Sequence, residues 1–111
     1  MNWNKLTNAA QIQEIKALSV TKPVLIFKHS TRCSVSSMSL DRLMRNWKTA
    51  DEAKVVPYFL DLIANRSLSN QIEEEFNIPH ESPQVIIIRN GQSVYDTSHY
   101  GISYPEIMAQ V

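Results

Sequence analysis

The sequence predicts an α/β domain in which a four-stranded mixed sheet lies between helices on both faces. Three observations predict it. Val24-Leu25-Ile26-Phe27 and Val85-Ile86-Ile87-Ile88 are continuous apolar runs, the pattern of strands covered on both sides. Segments of helical spacing separate the early strands, so these strands run parallel and connect through right-handed crossovers. Asn90-Gly91 follows the last apolar run. This dipeptide favours a type I′ hairpin, so the closing pair of strands is antiparallel. The element order reads α-β-α-β-α-β-β-α.

Each element has its own signal. Asn8 with Gln11 three residues on suggests a capping box, and Ile12, Ile15 and Leu18 follow at helical spacing, giving a helix over 8–19. Thr21-Lys22-Pro23 ends it, and a buried strand runs over 23–28. From Ser34 to Trp47, the residues Leu40, Leu43, Met44 and Trp47 fall at i, i+3, i+4, i+7 and predict one buried stripe; Met38 is assigned to the core with them. Val55 to Asp61 is a strand, and Pro57, which lacks an N–H, places it at or near a sheet edge. Leu68, Ile72 and Phe76 mark a third helix that begins near Asn65 or Ser67, with Glu73-Glu74-Glu75 as its solvated face. Gln84 to Arg89 and Gln92 to Ser98 form the hairpin. Ser103 and Glu106 around Pro105 predict a capping box that opens a short last helix, with Ile107 and Val111 facing inward.

With 111 residues the chain reads as a single domain over 1–111, able to build a core without disulfides or metal. Eleven basic and eleven acidic side chains cancel. No basic stripe is present, which argues against nucleic acid and against a polybasic membrane surface. The apolar runs are too short to span a bilayer, and the polar start from Met1 to Thr7 lacks a secretory pattern. A lone cysteine forms no internal disulfide. The chain is therefore expected to be cytoplasmic, in a reducing compartment, and monomeric.

That one cysteine, Cys33, carries the functional signal. His29-Ser30-Thr31-Arg32 breaks the strand, and the helix begins at Ser34. A sulfur at this junction faces the unpaired N–H groups of a helix N-terminus, a setting that favours an anion. The pattern is Cys-x-x-Ser, with Ser36 where a second thiol would stand. The bland reading of a lone cysteine is a small buried hydrophobe; the strand break and helix start favour a reactive thiol. Thr31 caps the helix or lines the pocket. Arg32 and Lys28 stabilise the thiolate, bind carboxylates of a small thiol, or are solvated charges. His29 assists the cysteine or is a strand-end histidine. One Cys and three scattered His, including His80 and His99, give no zinc spacing, so no metal is expected.

The element order, the thiol at a strand-helix junction and Ser82-Pro83 before the next-to-last strand resemble the thioredoxin superfamily, in which a cis-proline loop lies beside the reactive cysteine. The segments Phe27-Lys28-His29-Ser30-Thr31-Arg32-Cys33, Tyr58-Phe59-Leu60-Asp61-Leu62, His80-Glu81-Ser82-Pro83-Gln84-Val85 and Ser98-His99-Tyr100 resemble the monothiol bacilliredoxins, a general-stress family. Members of that family commonly carry Thr-Cys-Pro-Ile-Ser, where this chain has Arg32-Cys33-Ser34-Val35-Ser36.

The resemblance implies a thioredoxin-like fold and a cis Ser82-Pro83 bond. It also implies a monothiol oxidoreductase that removes bacillithiol, or another small thiol, from mixed disulfides on client proteins. Cys33 is then the catalytic nucleophile. Thr31, Arg32, Ser36, Ser82 and Pro83 are the substrate-binding candidates, and Ser36 Oγ is placed to bond the thiolate. The small thiol is a co-substrate, with no resident cofactor. The competing reading is a non-catalytic adaptor with an ordinary Cys33. A shared iron–sulfur cluster, as in monothiol glutaredoxins with Cys-Gly-Phe-Ser, ranks third, because Ser34-Val35 replaces Gly-Phe.

Overall fold

A computed structural model describes residues Met1–Val111. The elements are β1 (Asn4–Lys5), α1 (Ala10–Leu18), β2 (Val24–His29), α2 (Ser34–Asn46), a 3-10 turn at Thr49–Ala53, β3 (Val56–Asp61), α3 (Arg66–Phe76), β4 (Gln84–Arg89), β5 (Gln92–Ser98), a 3-10 turn at His99–Gly101, and α4 (Tyr104–Met108). The sheet has five strands in the order β1-β3-β2-β4-β5. The expectation of four strands is thus corrected: Asn4 and Lys5 pair in parallel with Tyr58 and Phe59 on the outer side of β3. Two exposed polar residues carry no apolar alternation, so nothing in their pattern marks a strand. β3 is therefore next to the edge.

The central strand β2 runs parallel to β3 and antiparallel to β4. All six of its residues are buried. Alternation along it separates two cores. Val24 and Ile26 join Ile12, Ile15, Leu68, Ile72 and Phe76 on the side of α1 and α3. Leu25 and Phe27 join Leu43, Ile102 and Ile107 on the side of α2 and α4. Helices thus cover both faces. Asn90 and Gly91 both have positive φ, 54° and 74°, as a type I′ turn requires.

Helix α2 sits differently from its apolar spacing. Its buried residues are Ser36, Ser39 and Leu43, whereas Met38 and Met44 are 59% and 43% exposed. Serines at the start of the helix are small enough to lie against the sheet, and this rotates both methionines outward. The expected capping bonds are also only partly present. Gln11 Oε1 accepts the Asn8 N–H at 3.1 Å, but Ser103 makes no side-chain cap bond at α4.

Candidate functional site

Cys33 is the N-cap of α2, with extended φ and ψ of −113° and 117°. Its N–H donates to Ser30 O at 3.2 Å, and its carbonyl accepts the Ser37 N–H at 3.2 Å, the first bond of the helix. The thiol is free and partly exposed. The preceding N–H groups of the first turn have no intrahelical acceptor and open towards the sulfur's end of the helix. Thr31 is therefore not the cap. Thr31 and Arg32 are exposed on the turn before the cysteine, and Arg32 makes no ion pair within the chain.

Ser36 is fully buried. Its Oγ lies 2.7 Å from His29 Nδ1 and accepts the Ser30 N–H at 3.1 Å. The hydroxyl is thus taken up by the end of β2. His29 is buried at 7% exposure, with its ring tilted against Phe27 and Phe59. Burial lowers its pKa, and the facing charge of Asp61 works the other way. A lowered value keeps the imidazole neutral at pH 7. Asp61 itself accepts the N–H groups of Ile63 and Ala64 at 3.1 and 3.3 Å, so its carboxylate shapes the turn after β3.

Ser82-Pro83 is a cis peptide bond. Lys28 lies opposite Gln84 in the β2–β4 ladder, so the loop before Gln84 and the turn after His29 share one end of the sheet. His99, at positive φ, ties this end together. Its N–H donates to Pro83 O at 3.0 Å, its carbonyl accepts from Ser39 Oγ on α2 at 3.4 Å, and its ring pairs with Glu81 at 3.6 Å. Ser82 is the open member of the loop. Its N–H and C=O make no hydrogen bond within the chain, and its buried Oγ has no partner. A free backbone edge at the sheet end that carries the thiol is what an incoming extended segment needs for strand addition.

The family described as "Monothiol bacilliredoxin BrxC" matches residues 4–107. The chain belongs to the monothiol bacilliredoxin family. A solved structure described as "A putative oxidoreductase with a thioredoxin fold" is 28% identical, covering 95% of this chain and 89% of its own, with a TM-score of 0.79. Thioredoxin from Malassezia sympodialis is 20% identical over 98% of this chain and 87% of its own, at a TM-score of 0.74. Fasciola hepatica thioredoxin is 12% identical over 96% and 94%, at 0.72. These last two show the fold alone. This bacilliredoxin-family chain is thus a thioredoxin-like thiol oxidoreductase. No helix is long and apolar enough to cross a membrane.

A second group of polar residues meets on the other face of the sheet. Lys28 is wholly buried on the face opposite α2, so it is neither a solvated charge nor on the thiol's side of the sheet. Glu73, read as part of a solvated face, accepts the His80 N–H at 3.3 Å. Gln84 is 1% exposed. The available signal was a polar side chain at each end of a strand covered on both faces, because such a group needs a buried partner.

Proposed function

We propose that this chain is a monothiol thiol-disulfide oxidoreductase that removes a low-molecular-weight thiol, bacillithiol, from mixed disulfides on cytosolic proteins under oxidative stress. The observation that carries this reading is the partly exposed, unpaired Cys33 at the start of α2, at the same sheet end as the free backbone of Ser82. The Cys33 thiolate attacks the small thiol's sulfur in the mixed disulfide. A new S–S bond forms at Cys33, the old one breaks, and the electron pair leaves on the client's sulfur as a thiolate. A second molecule of small thiol then attacks the capped Cys33, releases a symmetric disulfide and restores the thiol. No second cysteine is required.

The client's extended backbone pairs with Ser82 beside Pro83, while Thr31 and Arg32 border the approach. Cys33 is partly exposed at the start of α2, where a protein disulfide can approach it. The test is to mix reduced protein with a bacillithiol-capped protein substrate. Release of free client and one thiol-sized mass increment on Cys33 is the expected result. A Cys33 that stays uncapped would sink the reading, and the adaptor role would replace it.

A further inference from the structure

Lys28 ends the apolar run of β2 with its whole side chain out of solvent. Alternation puts it on the face of α1 and α3, across the sheet from Ser36 and α2. Its Nζ lies 3.4 Å from Ser69 O on α3 and 3.4 Å from His80 Nδ1. Ser69 Oγ lies 3.2 Å from the same Nδ1, and Glu73 accepts the His80 N–H. Gln84, opposite Lys28 and therefore on the same face, donates Nε2 to Pro79 O at 3.1 Å and accepts the Glu81 N–H at 3.4 Å. Side chains from β2, β4 and α3 thus grip Pro79, His80 and Glu81, the residues that lead directly into Ser82-Pro83.

An ammonium is a costly filler for such a place, since well-packed apolar residues replace buried charges neutrally or with a gain. Burial pushes Lys28 down to about 8, with Glu73 opposing. His80 is lowered by burial and by the charges of Lys28 and Arg66, against Glu73 and Glu81.

We propose that Lys28 and His80 are positioning residues for thiol exchange: from the far face of the sheet they hold the loop that presents the free backbone of Ser82 to the substrate. The inference rests on the reading of Ser82 as the edge that pairs with the mixed disulfide. Protonation of His80 sets two like charges against each other, with Arg66 adding to them and Glu73 and Glu81 relieving them. Acid therefore loosens the loop from the face of the sheet opposite the sulfur.

Lys28→Met and His80→Gln in the full chain test this, with His80→Gln as the milder change. Three quantities are read: iodoacetamide alkylation of Cys33, KM and kcat on a bacillithiol-capped protein, and amide hydrogen exchange across Pro79–Gln84 and at His99. The expected result is alkylation within about twofold of the parent, KM raised roughly five- to tenfold with kcat little changed, and faster exchange confined to those amides. The parent's KM rises as pH falls below 6.5, and the rise is blunted in His80→Gln. Unchanged KM and exchange overturn the proposal, as does joint loss of alkylation and turnover. If the parent itself shows no turnover, the exchange reaction fails as its function. Amide exchange then decides alone: selective loosening of Pro79–Gln84 upholds the positioning role, and parent-like exchange overturns it.

Discussion

Ser36 Oγ and His29 Nδ1 stand 2.7 Å apart. This contact joins the first turn of α2 to the last residue of β2, and the Ser30 N–H donates to the same oxygen. The strand, the turn and the helix that carry Cys33 therefore share one small buried hub. Ser36 occupies the position that holds the resolving thiol in Cys-x-x-Cys relatives, and here that position serves geometry.

Ser36→Ala removes the hydroxyl and leaves both the His29 ring nitrogen and the Ser30 N–H without it. A loss of about 1–3 kcal/mol is expected, read as a lower midpoint in urea unfolding. Cys33→Ser should leave that midpoint nearly unchanged.

Cys33→Ser should abolish exchange. No thiol-sized adduct forms on the variant, and release of client from its capped form falls to the uncatalysed level, as mass spectrometry of both proteins will show. Retained turnover in this variant would remove Cys33 from the chemistry.

Lys28→Met removes the desolvation penalty of a buried ammonium but also its contacts to Ser69 O and His80, so the pH dependence of its stability relative to the parent is the informative quantity. The folded-state pKa of Lys28 is about 8 against 10.5 for the free side chain. Between these values the unfolded chain holds a proton that the folded chain has lost, so the parent gains stability as pH rises. Below about 8 the penalty is complete and constant. The stability of the variant relative to the parent is therefore highest near neutrality and declines until about pH 10.5, which thermal unfolding of both proteins across pH 7–10.5 will measure.

Tyr104→Phe tests the opposite end of the domain. The Tyr104 hydroxyl donates to buried Asp51 at 2.6 Å, and this bond, with burial and the negative charge of Asp51, raises the phenol to about 12. Burial alone would raise the Asp51 pKa, but the bonds from Tyr104 and the Lys48 N–H, with the charges of Lys54 and Lys48, hold it below 3.8. The substitution should cost about 1–2 kcal/mol at pH 7. A carboxyl whose folded pKa is depressed contributes stability above its unfolded value and loses it as pH falls through the folded one. The penalty should therefore shrink below about pH 3.8, which chemical denaturation at pH 7 and pH 3 will compare.

Much of this architecture was legible in the residues. The apolar runs of β2 and β4, the Leu68–Ile72–Phe76 stripe and Asn90-Gly91 each obey a local rule that the packing reinforces. The cis bond at Ser82-Pro83 follows no local rule, and family resemblance alone pointed to it. What stayed hidden depends on tertiary contacts. The roll of α2 is set by how closely Ser36 and Ser39 approach the sheet, so Met38 and Met44 turn outward despite their spacing. The direction of Lys28 depends on which face receives His80. β1 exists because Leu6, 1% exposed, draws the preceding residues onto β3, with its N–H donating to Phe59 O at 2.9 Å.

Strand β1 has a consequence out of proportion to its length. Without it, β3 would present a bare row of donors and acceptors, a template on which stray chains stack and aggregate. Asn4 and Lys5 close its middle, and the Asn4 side chain covers Pro57 O at 3.1 Å. At the opposite rim, β5 is interrupted by a register shift against Ile87 and Ile88, which twists that border away from flat pairing. With both borders guarded, the molecule can leave one short stretch of main chain unoccupied at Ser82 and still remain resistant to indiscriminate self-association.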